Sequence, residues 1–238
     1  MEFYVGGYYL IEGASIENWM NKDLLPSQIF TPSSCICNLH PEDICLSWVT
    51  DRNETITAYT KKLSITKEQF EELQENIDSS FNTNKYGWIQ MFLEVDEARK
   101  YYKKWLTNIP DIKLVAIATS KEHREIFLTE EKSEGENLGA CGNWLMLEKG
   151  VSIDINQGLL GYDVLGFDVC AFHSFICNSL ENDFAEKLGI KFNKSGLISS
   201  FSEATIAADY AQNPDVGAET ALWQPWAIIE LSKNHSGK

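Results

Sequence analysis

Basic residues are scarce in this sequence, and arginine most of all. The 238 residues hold 20 Lys+Arg against 35 Asp+Glu, a net charge of −15. The three arginines, Arg52, Arg99 and Arg124, all fall in the first 124 positions. Residues 129–238 carry 16 acids and 7 lysines, net −9, and residues 1–128 carry 19 acids and 13 bases, net −6. A surface so short of cations cannot neutralise a phosphate backbone or an anionic lipid leaflet, so neither nucleic acid nor membrane is expected as a direct partner. The same field attracts and steers a basic protein partner.

Other signals are missing too. The glycines of GLLGYDVLGFD (Gly158, Gly161, Gly166) miss the dinucleotide and phosphate-loop spacings and no GK[ST] occurs, so no nucleotide is expected and no cofactor of any kind is assigned. The opening MEFYVGGYYLIEG has an acid at Glu2, no basic run and no long apolar stretch. Neither a signal peptide nor a transmembrane helix is read there, and a cytoplasmic location is expected. Without an export signal, the six cysteines are expected to be reduced thiols rather than a disulfide framework.

What is present is a chain that is 44% hydrophobic, enough for a real core. Residues 2–11 read as a strand from their aromatic and β-branched content. Residues 44–50 and 54–60, joined by Asp51, Arg52 and Asn53, read as a hairpin. Thr66 and Gln69 fit a capping box for a helix carrying Phe70, Leu73, Ile77 and Phe81 at helical spacing. A strand is expected over 87–95, a helix from Asp96 with acids leading and lysines trailing, a buried strand over 112–118 and a short helix from Ser120 to Leu128. Residues 129–143 are acidic and lack apolar period, which suits a linker or long loop. Strands follow at 144–148 and 164–169, then a helix over 171–188 stopped by Gly189. A second capping box, Ser200 and Glu203, opens a helix that Pro214 ends, and AIIEL closes the chain as a strand. The expected fold is α+β with a mixed or antiparallel sheet and flanking helices. It forms a single domain over 1–238, or two tightly packed halves, 1–128 and 144–238, with the acidic loop 129–143 between them.

Several clusters invite a chemical reading. In GFDVCAFHSFICN, Cys170, His173 and Cys177 are spaced by three and four residues. On a helix over 171–188, His173 and Cys177 would share a face bordering the stripe of Phe172, Phe175, Ile176, Leu180, Phe184 and Leu188, as packing groups. Cys170 at a strand end before a helix is placed where a helix dipole lowers a thiol's pKa, and with His173 as base it forms the alternative of a cysteine-dependent hydrolase. In CICNLHPEDIC, Cys35, Cys37, His40 and Cys45 offer four zinc-ligand types at an unusual spacing, and buried thiols with a loop histidine are the competing reading, so no metal is assigned. Asp154, Asp163 and Asp168 are read as solvated acids. Trp223 and Trp226 flank Gln224 and Pro225. The proline suits a strand's start or edge, from which one indole could stay accessible as a protein-binding anchor, and core packing is the competing reading of both indoles.

The run from Gly161 to Tyr210 contains F-H-S-x-x-C-N followed by N-x-x-G-L-I and a small-residue helix. It resembles a segment of uncharacterised bacterial proteins, some encoded beside polymorphic or contact-dependent toxins as immunity proteins. The resemblance implies a cytosolic, non-enzymatic inhibitor that binds and blocks a toxin. Phe172, His173, Ser174, Cys177, Asn178, Gly196, Leu197 and Ile198 carry it and are expected to define the fold rather than an active site.

Composition and resemblance together favour an acidic binding protein over an enzyme. Its expected contact face is Glu181, Asp183 and Glu186 with Trp223 or Trp226, set against a basic partner such as a toxin domain. Affinity for a cationic protein is then expected to fall as salt rises from about 0.01 to 0.15 M, where the Debye length shrinks from roughly 30 to 8 Å. Binding constants measured across that range that do not change would contradict it.

Overall fold

The computed structural model describes residues 1–33, 35–36, 52–82, 86–87, 91–130, 142–168 and 171–233. In chain order the elements begin with β1 (Phe3–Ile11), β2 (Ala14–Ser15) and β3 (Gln28–Ile29). Helices α1 (Arg52–Leu63) and α2 (Lys67–Asn82) follow, then β4 (Tyr86–Gly87), β5 (Met91–Phe92) and α3 (Val95–Tyr101), which runs on into a π turn over Tyr102–Leu106. Next come β6 (Lys113–Ser120), α4 (Lys121–Glu130), α5 (Gly142–Lys149), β7 (Ser152–Ile153), β8 (Leu159–Asp168) and β9 (Ala171–Ser174). A 3-10 turn over Phe175–Asn178, α6 (Glu181–Leu188), α7 (Phe201–Ala211), a 3-10 turn over Pro214–Val216 and β10 (Leu222–Leu231) complete the chain. The fold is α+β with an antiparallel sheet.

One sheet runs in the order β4-β5-β1-β6-β10-β8-β9, with β7 paired to β1. It takes strands from both ends of the chain, because β10 inserts between β6 and β8. Its central strands are buried almost throughout: every residue of β6 from Leu114 to Ser120 is buried, as are Tyr162 to Phe167 of β8. The apolar side chains divide into two clusters. Trp226, Phe127, Phe70 and Leu147 belong to one, with α1 to α5, and Trp223, Phe175, Phe184 and Ala208 to the other, with α6 and α7. Two glycines let the indoles lie flat on the sheet. A Cβ on Gly6 would come within 2.5 Å of the Trp226 ring, and one on Gly166 within 2.8 Å of the Trp223 ring.

Local chemistry explains several element ends. Thr66 and Gln69 form the reciprocal box: the Thr66 amide donates to Gln69 Oε1 at 2.9 Å and the Gln69 amide to Thr66 Oγ1 at 3.2 Å. Gly189 ends α6 in the left-handed conformation, φ +70°. Ser200 precedes α7, but its hydroxyl bonds Ser202 Oγ at 2.8 Å, so the second box does not form although the helix does.

Four expectations are corrected. Residues 54–60 lie in helix α1, not in a strand, and 44–50 fall outside the described residues, as do 131–141 of the expected acidic loop. Residues 144–148 belong to helix α5, whose Asn143 side chain donates to Gly6 O at 2.7 Å and Tyr9 Oη at 3.0 Å, docking the helix on β1. Residues 171–188 are not one helix. They are strand, 3-10 turn and helix in succession, because Phe172 and Ser174 alternate inward with a period of two as β9 pairs β8. Pro225 lies inside a central strand. It is tolerated because the ladder to β6 begins only at Ala227.

Both indoles expected at a contact face are therefore core. Trp223 is 4% exposed and Trp226 is fully buried, its ring edge-on to Phe127 at 5.7 Å and to Phe172 at 5.1 Å. Trp226→Ala is expected to cost about 3–5 kcal/mol of unfolding free energy. Ile206→Ala, at an exposed position of α7, should change it by less than about 0.5 kcal/mol. Equal small effects in urea titrations would mean that Trp226 is not packed as described.

Candidate functional site

The expected acidic face on α6 does not exist as a face. Glu181 is fully buried; its Oε1 accepts from the Asn21 amide at 3.2 Å, and burial raises its pKa. Asp183 is engaged by Tyr210 Oη at 2.7 Å and by Lys187 Nζ at 2.9 Å, and these two contacts hold its carboxyl below the usual range. Only Glu186 is plainly exposed. The helix begins at Glu181 itself, so the first acid turns in toward the chain at Asn21 rather than out to water.

A different constellation forms where the segment after β3 crosses the β8–β9 hairpin. Its centre is Asp163, read above as a solvated acid and in fact fully buried. Thr31 Oγ1 donates to one carboxylate oxygen at 2.5 Å and Ser174 Oγ to the other at 2.9 Å. No cation faces it among the described residues, and burial pushes its pKa from 3.8 up to about 7, against the lowering effect of the two hydroxyls. Asp154 and Asp168 are exposed, as read.

From Asp163 the polar contacts run outward to the surface. Thr31 Oγ1 accepts from the Ser33 amide at 3.1 Å. Ser33 Oγ accepts from the Cys35 amide at 3.3 Å and lies 3.0 Å from Cys177 Sγ. Cys35 Sγ lies 3.3 Å from His173 Nδ1, and the same nitrogen lies 3.2 Å from Glu219 Oε2. Three bonds fix Glu219. Its amide donates to Asn178 Oδ1 at 2.8 Å, its carboxylate accepts from Asn178 Nδ2 at 3.3 Å, and its carbonyl accepts from the Trp223 indole at 3.0 Å. Trp223 therefore anchors the loop that presents Glu219.

Each element contributes for a local reason. Ser174 ends β9 and caps the 3-10 turn by accepting from the Ile176 amide at 3.4 Å, which sets Cys177 on the turn. Ser179 closes that turn in the left-handed conformation. The crossing segment is held from below as well, since the Phe30 amide donates to Ser195 O at 3.1 Å and Ile29 packs on Gly196. Of the residues carrying the resemblance, His173, Ser174, Cys177 and Asn178 meet here.

Cys35 is exposed and borders a cleft of about 470 Å³ whose walls include Glu12, Glu17, Trp19, Met20 and Ile36. Trp19 is 50% exposed there. Cys177 is partly buried, and the neighbouring Cys35 thiol together with burial pushes its own thiol's pKa up. Sequence reasoning paired His173 with Cys170, which lies outside the described residues; the structure pairs it with Cys35, from the far end of the chain. Of the four zinc-ligand candidates only Cys35 is described, and Cys37, His40 and Cys45 lie outside. Among the described residues no group of three or more His, Cys, Asp or Glu is arranged to hold a metal ion, and no helix is long and apolar enough to cross a membrane.

The thiol and the carboxylate share one nitrogen of His173. A general-base triad needs the nucleophile on one ring nitrogen and the orienting acid on the other. The shared nitrogen therefore does not match the geometry of a hydrolytic relay. No family model, curated protein or solved structure matches this chain.

The buried carboxyl gives a pH signature. In the folded state Asp163 keeps its proton between pH 4 and 7, where the unfolded chain releases it. The folded state binds more protons in that window, so stability falls as pH rises through it. A shift from 3.8 to about 7 corresponds to about 4 kcal/mol in total. Asp163→Asn removes this slope. Urea unfolding from pH 4 to 8 should show wild type losing stability relative to the variant by that order; parallel curves would contradict the buried, uncompensated carboxyl.

Proposed function

We propose that this protein is an acidic binding protein that engages and blocks a basic protein partner, in the manner of a bacterial immunity protein acting on a toxin domain. The observation that carries the reading is Trp19. It is half-exposed beside Glu12 and Glu17 in a cleft large enough to receive a side chain, on a chain of net charge −15. An indole next to carboxylates attracts an arginine or lysine twice over, by the face of its ring and by the surrounding charge. Tryptophan is also among the residues that concentrate binding energy at interfaces. Glu12 is partly occupied by Lys62 at 3.0 Å, which leaves the exposed Glu17 as the acid nearest in sequence to the indole. This cleft replaces the α6 face and the two core tryptophans as the contact surface.

The cysteine-hydrolase alternative names Cys170 with His173, and Cys170 lies outside the described residues; for Cys35, the thiol that does meet His173, the acid is on the wrong nitrogen. A binding role asks nothing of that geometry. The test is calorimetric titration with an arginine-rich peptide at low salt. Trp19→Ala is expected to weaken binding roughly tenfold, as for a desolvated cation–π contact, and Glu17→Gln to weaken it less. Affinities unchanged by both substitutions would place the binding surface elsewhere or remove it.

A further inference from the structure

We propose that Cys35 and Cys177 form a redox-active dithiol, with Cys35 as the attacking sulfur and Cys177 as the resolving one, and a hydroperoxide as the oxidant. The inference is independent of the binding role, since it rests on the thiols and their neighbours alone.

Three observations place the two sulfurs in this order. Cys35 is exposed at the rim of a cleft, so a small oxidant reaches it. Its sulfur lies 3.3 Å from His173 Nδ1, and the same nitrogen lies 3.2 Å from Glu219 Oε2, so an imidazole held by a carboxylate stands within proton-transfer reach of the sulfur. Cys177 is partly buried, sits 3.0 Å from Ser33 Oγ, and feels the neighbouring Cys35 thiol, which raises its pKa. Ser33 thus ties the two cysteines together, because its hydroxyl also accepts from the Cys35 amide. The neighbouring Cys35 thiol, together with burial, keeps the Cys177 thiol protonated until it is needed.

The chemistry balances in two steps. The Cys35 thiolate attacks the terminal oxygen of the hydroperoxide, an S–O bond forms and the O–O bond breaks. The leaving alkoxide takes a proton from the His173 ring, giving an alcohol and a sulfenic acid on Cys35. Cys177 then gives up its proton and its sulfur attacks that of Cys35. The S–S bond forms, the S–O bond breaks, and hydroxide leaves with the proton as water. Two thiols and one hydroperoxide become one disulfide, one alcohol and one water. The product fastens the segment after β3 to the turn that follows β9.

Reduced protein treated with one equivalent of tert-butyl hydroperoxide and digested without reductant is expected to show a Cys35–Cys177 linked peptide and the loss of two hydrogens from the intact mass. Cys177→Ser should stop at the sulfenic acid, trapped on Cys35 by dimedone. His173→Ala should slow alkylation of Cys35 by iodoacetamide at pH 6 by about tenfold and steepen its pH dependence. A link through any other cysteine, a dimedone adduct elsewhere, or six intact thiols after treatment of the wild type would overturn the proposal.

Discussion

The candidate site depends on one buried carboxyl. Asp163 sits in a central strand with a hydroxyl hydrogen-bonded to each of its oxygens, Thr31 on one and Ser174 on the other. Those bonds tie the segment after β3 to the distant β8–β9 hairpin, to strand β8 directly and through it to the end of β9. A buried charge without a cation is costly, so the group stays protonated well above its usual range. Losing either hydroxyl would leave a polar atom buried and unpaired, which costs more than the bond itself contributes. The chain is thus locked into this crossing, because each alternative strands a polar group.

The rest of the site follows from that crossing. Once Thr31 is fixed, Ser33 accepts from the Cys35 amide and meets the Cys177 thiol, and Cys35 arrives against His173. On the other side, Trp223 packs on Gly166 and holds the carbonyl of Glu219, so that a core side chain decides where a surface carboxylate stands. The Trp19 cleft shares Cys35 as a wall. The Trp19 cleft and the two thiols are therefore neighbours on one anchored segment.

Much of the architecture was legible in the sequence where local signals and tertiary demands agree. The strand at β1, the capping box at Thr66, the buried run of β6, the helix from Asp96 and the closing strand all carry period and end signals that packing then reinforces. Short apolar runs were not legible. WLMLE fits a strand or one and a half helical turns equally well, and Asn143 bonding across to β1 decides for the helix. Over 171–188 the aromatic spacing satisfied a helical template, yet pairing with β8 imposes a period of two on its first four residues. The site itself was legible only in part. His173 and Cys177 stand out as residue types, but their partners Thr31, Ser33 and Cys35 lie more than a hundred residues away and carry no local mark. One signal was present and unread: Asp163 lies between Tyr162 and Val164 in an apolar run, where a lone carboxyl is more easily buried than solvated. Charge misled at Glu181 for the converse reason, since a carboxylate at a helix start was assigned to water while a backbone amide waited at Asn21.

The most direct test of this dependence is the titration of the Asp163 carboxyl carbon followed by 13C NMR in the native protein. A midpoint at about 7 is predicted, with the Thr31 and Ser174 resonances moving in step. A midpoint at about 4, the range of a solvated aspartate, would mean that the carboxyl is open to water and that the segment carrying Cys35 is not anchored there.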